Sequence, residues 1–193
     1  ISLENHGNDA ELYIVFPGMK VNDRADGMMP GVVFRNTYKH KDSFRGSFFG
    51  WRVRCLNGSI HSEAFGDLRL NVWHTAGHVS TVDEKIREFI EGMLMNCSKL
   101  ELIIDAAANS EVKFKDYKEM ANTLNPIVGG ERRAEHIATS LPLTTTRWDI
   151  FNAITYEASH GDHISPGTRN RLMASAERNV LMVDTLAPVP MAA

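Results

Sequence analysis

Between residues 75 and 82 the spacing of apolar side chains changes from every second residue to every third or fourth, and this change constrains the fold more than any other feature. Before it, side chains alternate between two faces, as strands require. In GVVFRNTY (31–38), Val32, Phe34, Asn36 and Tyr38 alternate with Val33, Arg35 and Thr37. After a charged turn, FRGSFFGWRVRCL (44–56) sets Trp51, Val53 and Cys55 against Arg52 and Arg54, and DLRLNVWHT (67–75) sets Leu68, Leu70 and Val72 against Arg69, Asn71 and Trp73. ELYIVFPG (11–18) reads as a strand closed by Pro17-Gly18. Asn57-Gly58 is a strong hairpin signal, because a type I′ turn needs positive φ at both central residues. SIHSEAF (59–65) is expected to pair back from it. Gly46 and Gly50 predict bulges or bends in their strand. Residues 1–10 are expected to fray and 20–31 to form a loop. The expectation is an antiparallel sheet of about five strands over 11–75. One face is apolar; the other interleaves arginines with aromatics.

After the change, Val82, Ile86, Phe89, Ile90, Met93, Leu94, Cys97 and Leu100 follow at helical steps. Thr81 and Glu84 fit a capping box. A long amphipathic helix over 81–108 is expected to pack across the apolar face, with Cys97 structural on its buried stripe. Further helices are expected over 111–123 (stopping before Pro126), 131–139, from Thr144–Thr146 as caps to 159, and from Pro166 to Val183, with Gly129-Gly130 as a hinge. The fold class is therefore α+β. Residues 1–110 are expected to form a nucleic-acid-binding core, and 111–193 a helical extension packed on the same domain.

The 193 residues are 43% hydrophobic, enough for a sizeable core. No run of 18 apolar residues is present, so no membrane span is expected. Two cysteines are too few for a disulfide framework or a thiolate metal site, which points to a reducing, cytoplasmic setting. A chain that starts at Ile1 is expected to be part of a longer protein. Net charge is −3, but residues 31–80 hold seven basic and three acidic side chains, a local +4 that leaves −7 elsewhere.

The sequence contains no G-x-x-x-x-G-K-[ST], G-x-S-x-G or H-E-x-x-H, so no catalysis and no cofactor is expected. TYEASHGDH (155–163) offers Glu157, His160, Asp162 and His163, a set that could hold a divalent metal, but the expected reading is a surface Glu157–His160 hydrogen bond and a polar helix end with His160 near the C-terminal dipole. The sheet carries the stronger signal. Single strands are gripped by cationic grooves with aromatic platforms, each stacked base contributing about 1–3 kcal/mol. Arg35, Lys39, Lys41, Arg45, Arg52, Arg54 and Arg69 supply charge, and Tyr38, Phe48 and Trp73 supply rings. Trp51 is expected in the core and Arg52 and Arg54 on the outward face.

WRVRCLNG followed by LNVWHT and a long charged helix resembles a phage/plasmid-like protein family of unknown function, through Arg52, Cys55, Asn57, His74 and Thr75. WDIFNAITYEASH resembles a second motif of that family through Phe151, Asn152, Ala153, Thr155, Tyr156 and His160, with Tyr-Glu where the family commonly reads Glu-Tyr. The resemblance covers about 50–160 and implies a phage or mobile-element setting beside replication and recombination functions. A hairpin and third strand crossed by a long helix is also similar in architecture to the ring-forming single-strand annealing proteins of the Rad, Redβ and RecT type. The expected function is a non-catalytic, phage-type single-stranded-DNA-binding or annealing protein, assembling as a homo-oligomer with phage or host replication proteins in the infected cell's cytoplasm. Two alternatives stay open: an accessory protein that binds a host partner through its acidic helical part, and a metal-dependent nuclease built on the 157–163 cluster.

Overall fold

The computed structural model describes residues 2–6, 9–17, 28–37, 43–52, 58–61, 69–73, 82–162 and 164–186. Two compact units make up the chain, residues 1–101 and 102–193. The class is α+β, as the change of period requires.

The first unit is an antiparallel sheet of β1 (Ser2–His6), β2 (Asp9–Val15), β3 (Met28–Thr37), β4 (Ser43–Arg52), β5 (Gly58–His61) and β6 (Arg69–Trp73). The order runs β1-β2-β3-β4, and the free edge of β4 is then shared by two short strands. β6 pairs with Ser43–Ser47 and β5 with Phe49–Trp51. Ser2–His6 thus forms a strand where fraying was expected. A polar edge strand needs only ladder bonds on one side, so apolar alternation does not announce it. β3 also starts inside the expected loop, at Met28, and tolerates Pro30 because the pairing with β2 ends at Val15 and Gly31. Phe16 N still donates to Pro30 O (3.0 Å).

Val32, Phe34, Phe48, Leu70 and Val72 are buried on one face, while the other buries Val33 and Phe49 beside the exposed Arg35, Arg45 and Asn71. The Phe34 ring stacks on Phe44 (centroids 5.5 Å apart) and meets Phe89 of α1 (6.0 Å). α1 runs from Val82 to Asn109, from the first unit into the second, and buries Phe89, Met93, Leu100, Ile104 and Ala107 at helical spacing. Its proposed Thr81 cap and the Asn57-Gly58 turn lie outside the described residues.

Gly46 makes no bulge against β3 or β6; its pairing is regular on both sides. Its role is steric. It sits opposite Phe34, and a Cβ there would come within 3.1 Å of the ring and 2.9 Å of Leu70 Cβ. Gly31 does the same on the other face, opposite Phe49, where a Cβ would lie 2.6 Å from Phe49 Cζ. Two glycine–phenylalanine cross-strand pairs, one per face, therefore seat the aromatic rings. Against β5, the register of β4 shifts at Gly50/Trp51.

In the second unit, β7 (Glu111–Lys113) pairs with β8 (Thr144–Thr146) beside α2 (Tyr117–Val128), α3 (Glu131–Thr139), α4 (Arg147–His160) and α5 (Pro166–Ala176). Asp116 caps α2 by accepting from Glu119 N (2.8 Å), Thr146 and Asp149 form a capping box on α4, and Ser165 precedes Pro166 at the start of α5. The expected helix over 111–123 instead begins after a strand and continues through Pro126 to Val128. Pro126 falls in the last turn, and both it and Asn122 are exposed, so the Asn122 carbonyl that loses its N–H partner is not trapped in the core. Gly129 then closes α2 at φ +66°, donating to Asn125 O (2.9 Å). The last helix is not α to its end: Glu177–Leu181 is a π-helical turn. Phe151, Ile150, Ile154, Leu124 and Met120 form the core.

Candidate nucleic-acid interface

The positions alternate to Phe34 and Phe44 hold a polar row that crosses four strands: Glu11, Arg35, Arg45 and Asn71 are directly paired neighbours on β2, β3, β4 and β6. Arg35, Arg45 and Asn71 are exposed. Two guanidinium-bearing residues directly opposite each other across a strand pair work against folding. Glu11 offsets part of that, with Oε1 2.6 Å from Arg35 Nε. Its other oxygen accepts from the Tyr13 hydroxyl (2.5 Å). Burial, and then the hydrogen bond to the Glu11 carboxylate and its charge, push the Tyr13 hydroxyl up to about 12, while Arg35 pulls it back. The Tyr13 ring meets Phe49 edge-on at 5.9 Å, so the row stands beside an aromatic pair.

Register places two further expected residues next to this row. Arg69 pairs with Ser47 and Trp73 with Ser43, one row to either side of the Arg45–Asn71 pair. Arg52 is elsewhere. It pairs with Met28, seven residues along β4 from Arg45, or roughly 23 Å at 3.3 Å per residue. The ladder with β3 runs unbroken from 45 to 52. The expected assignment of the Trp51 and Arg52 side chains to the two faces lies outside the described residues. Phe48 is fully buried and has no face to offer a base, contrary to expectation. Lys39, Lys41, Arg54 and Tyr38 lie outside the described residues. Glu11 and Tyr13 were missed as site residues, although Glu-x-Tyr within a strand already places both on one face.

In the 157–163 segment His160 lies in the last turn of α4, as the polar helix-end expectation has it, while Glu157 finds its partner on another helix. Glu157 Oε2 lies 3.6 Å from Nε2 of His136 on α3, while the His160 ring stacks on Tyr156 (4.4 Å) with Nδ1 3.2 Å from Tyr156 O. Gly161 follows tightly; a Cβ there would come 2.8 Å from Glu157 Oε1. His163 lies outside the described residues. Among the described residues no three His, Cys, Asp or Glu side chains gather as metal ligands. Burial pushes the Cys97 thiol up, which disfavours a reactive thiolate. No helix among the described residues is long and apolar enough to cross a membrane. Comparisons of the chain with protein-family models, with curated proteins and with solved structures found no match.

Proposed function

We propose that the chain binds single-stranded DNA without catalysis, as a phage-type annealing or strand-protecting protein in recombination or replication. The observation that carries this reading is the exposed Arg35–Arg45 pair, set directly opposite each other on central strands with Arg69 and Trp73 one row away by register. Adjacent guanidiniums on a rigid sheet match the spacing of successive backbone phosphates better than isolated surface charges do. Phosphate contact releases counterions, so affinity falls steeply with salt. Glu11 competes with phosphate for Arg35, which makes the row responsive to charge at position 11. The reading extends to self-association and to phage or host replication proteins as partners.

The test is the affinity for an oligo-dT as a function of salt. Arg35→Ala with Arg45→Ala is expected to weaken binding at least tenfold at low salt and to reduce the slope of log K against log salt by about 1.4. Glu11→Gln is expected to strengthen binding. Absence of binding at low salt, or an unchanged slope in the double variant, refutes the reading.

A further inference from the structure

We propose that the second unit carries its own anion site, independent of the sheet: a cleft between the C-terminal end of α2 and α5 that takes a phosphate-type oxyanion on a small organic body. The cleft has a volume of about 690 Å³ and is lined by Arg133, Arg171 and Arg178, with no aspartate or glutamate among its described lining residues. Its floor is apolar, formed by the buried Ile127, Val128 and Leu172. The volume falls in the range of small-molecule sites, which combine an apolar floor with a few placed polar groups.

Each of these arginines donates to a neutral acceptor. Arg133 Nη1 donates to Val128 O (2.9 Å), Arg171 Nη2 to Thr168 Oγ1 (3.3 Å), and Arg178 Nε to Ala174 O (3.3 Å). At Arg133 and Arg171 the carbonyl or hydroxyl fixes one edge of the guanidinium without cancelling its charge, and the remaining N–H groups keep their fork for an oxyanion. Among the described residues neither Arg133 nor Arg171 has a carboxylate within 4.0 Å. Arg171 and Arg178 are seven residues apart, two turns along one side of α5 and its π-helical continuation, while Arg133 approaches from the first turn of α3. The walls are also fixed to each other, because Ser175 Oγ donates to Ile127 O (2.7 Å) across the floor. Same-sign charge is therefore concentrated on a rigid concave surface. That arrangement is unfavourable when empty and favourable when an anion fills it.

Titration calorimetry on the full chain with inorganic pyrophosphate and with thymidine 5′-diphosphate tests this. Binding of either is expected, weakened at least tenfold by Arg171→Ala and partly restored by Arg171→Lys, which returns charge without the fork. Tighter binding of the nucleotide would assign the apolar floor to its base and sugar. Arg35→Ala with Arg45→Ala is expected to leave these affinities unchanged. Arg171 is exposed and bonds only within its own helix, so its removal leaves the fold intact, which an unchanged melting temperature verifies. Failure of both ligands to bind, affinity unaltered by Arg171→Ala, or loss confined to the sheet variant overturns the proposal.

Discussion

Arg147→Met is expected to remove about 3 kcal/mol of stability from the second unit. Arg147 is the first residue of α4, and only 3% of it is exposed. Its Nη1 donates to Val180 O and Leu181 O (3.2 Å each) at the end of the π-helical turn and to Val183 O just beyond it. A helix end buried without such partners would leave those oxygens unsatisfied. One guanidinium nitrogen has two hydrogens, so three acceptors amount to about two full bonds. Charged hydrogen bonds contribute roughly 1.5–3 kcal/mol each, which bounds the gain at about 3–6 kcal/mol. Two corrections pull downward. Substitution abolishes the guanidinium's desolvation cost, and the partners left behind are neutral, so no buried charge is stranded. The apolar stem of methionine also refills most of the volume. Burial pushes the Arg147 guanidinium down from its usual value and Asp184 pulls it back up, yet arginine stays charged at neutral pH. Arg147→Lys keeps a charge but cannot span the same carbonyls, and is expected to cost about half as much. Urea unfolding followed by tryptophan fluorescence gives the free energies. Hydrogen exchange should show protection lost first over 177–186. A cost below about 1 kcal/mol, with exchange in that segment unchanged, would refute the assignment of Arg147 as the clamp of the C-terminal turn.

Two further outcomes follow from the sheet. Gly31→Ala is expected to cost about 1–3 kcal/mol, because its Cβ would lie 2.9 Å from the Ile14 carbonyl oxygen, a backbone atom that cannot swing aside as the Phe49 ring can; a thermal melt indistinguishable from the parent would contradict this. Tyr13 holds its proton more tightly folded than unfolded, so its contribution is fully present below pH 10 and is lost as pH rises through about 12; Tyr13→Phe should flatten that limb of the stability–pH curve.

What the sequence made legible was whatever depends on period. Alternation in 31–38 and 67–75 correctly separated Phe34, Leu70 and Val72 from Arg35 and Asn71, and the 3.6 spacing found α1 and its buried Phe89 and Met93. The Thr146 cap of α4 and Pro166 at the start of α5 were legible because a cap is a local chemical need. Where backbone pairing alone decides, the reading failed. β1 has no apolar pattern, and β6 returns to β4, sharing that edge with β5, which no local feature signals. The arginine cleft escaped notice because Arg133, Arg171 and Arg178 are brought together only by packing of helices distant in sequence.

The two cationic sites differ in the partner that orients each guanidinium, and that difference decides what each can hold. On the sheet, Arg35 is held by the Glu11 carboxylate, which offsets its charge. An exposed charge holds a lone phosphate weakly in water, where two unit charges 4 Å apart gain only about 1 kcal/mol. Under the proposed reading, affinity there comes from repetition along a strand. In the cleft, Arg133 and Arg171 are held by a carbonyl and a hydroxyl, so both charges remain whole beside an apolar floor that excludes water from one side. Concave, low-dielectric walls strengthen each charge–oxyanion contact, so one small ligand can be held without repetition. The sheet row should therefore discriminate by polymer length and lose affinity steeply with salt. The cleft should bind a diphosphate with a shallower dependence, because a partly buried pair is screened less than an exposed one.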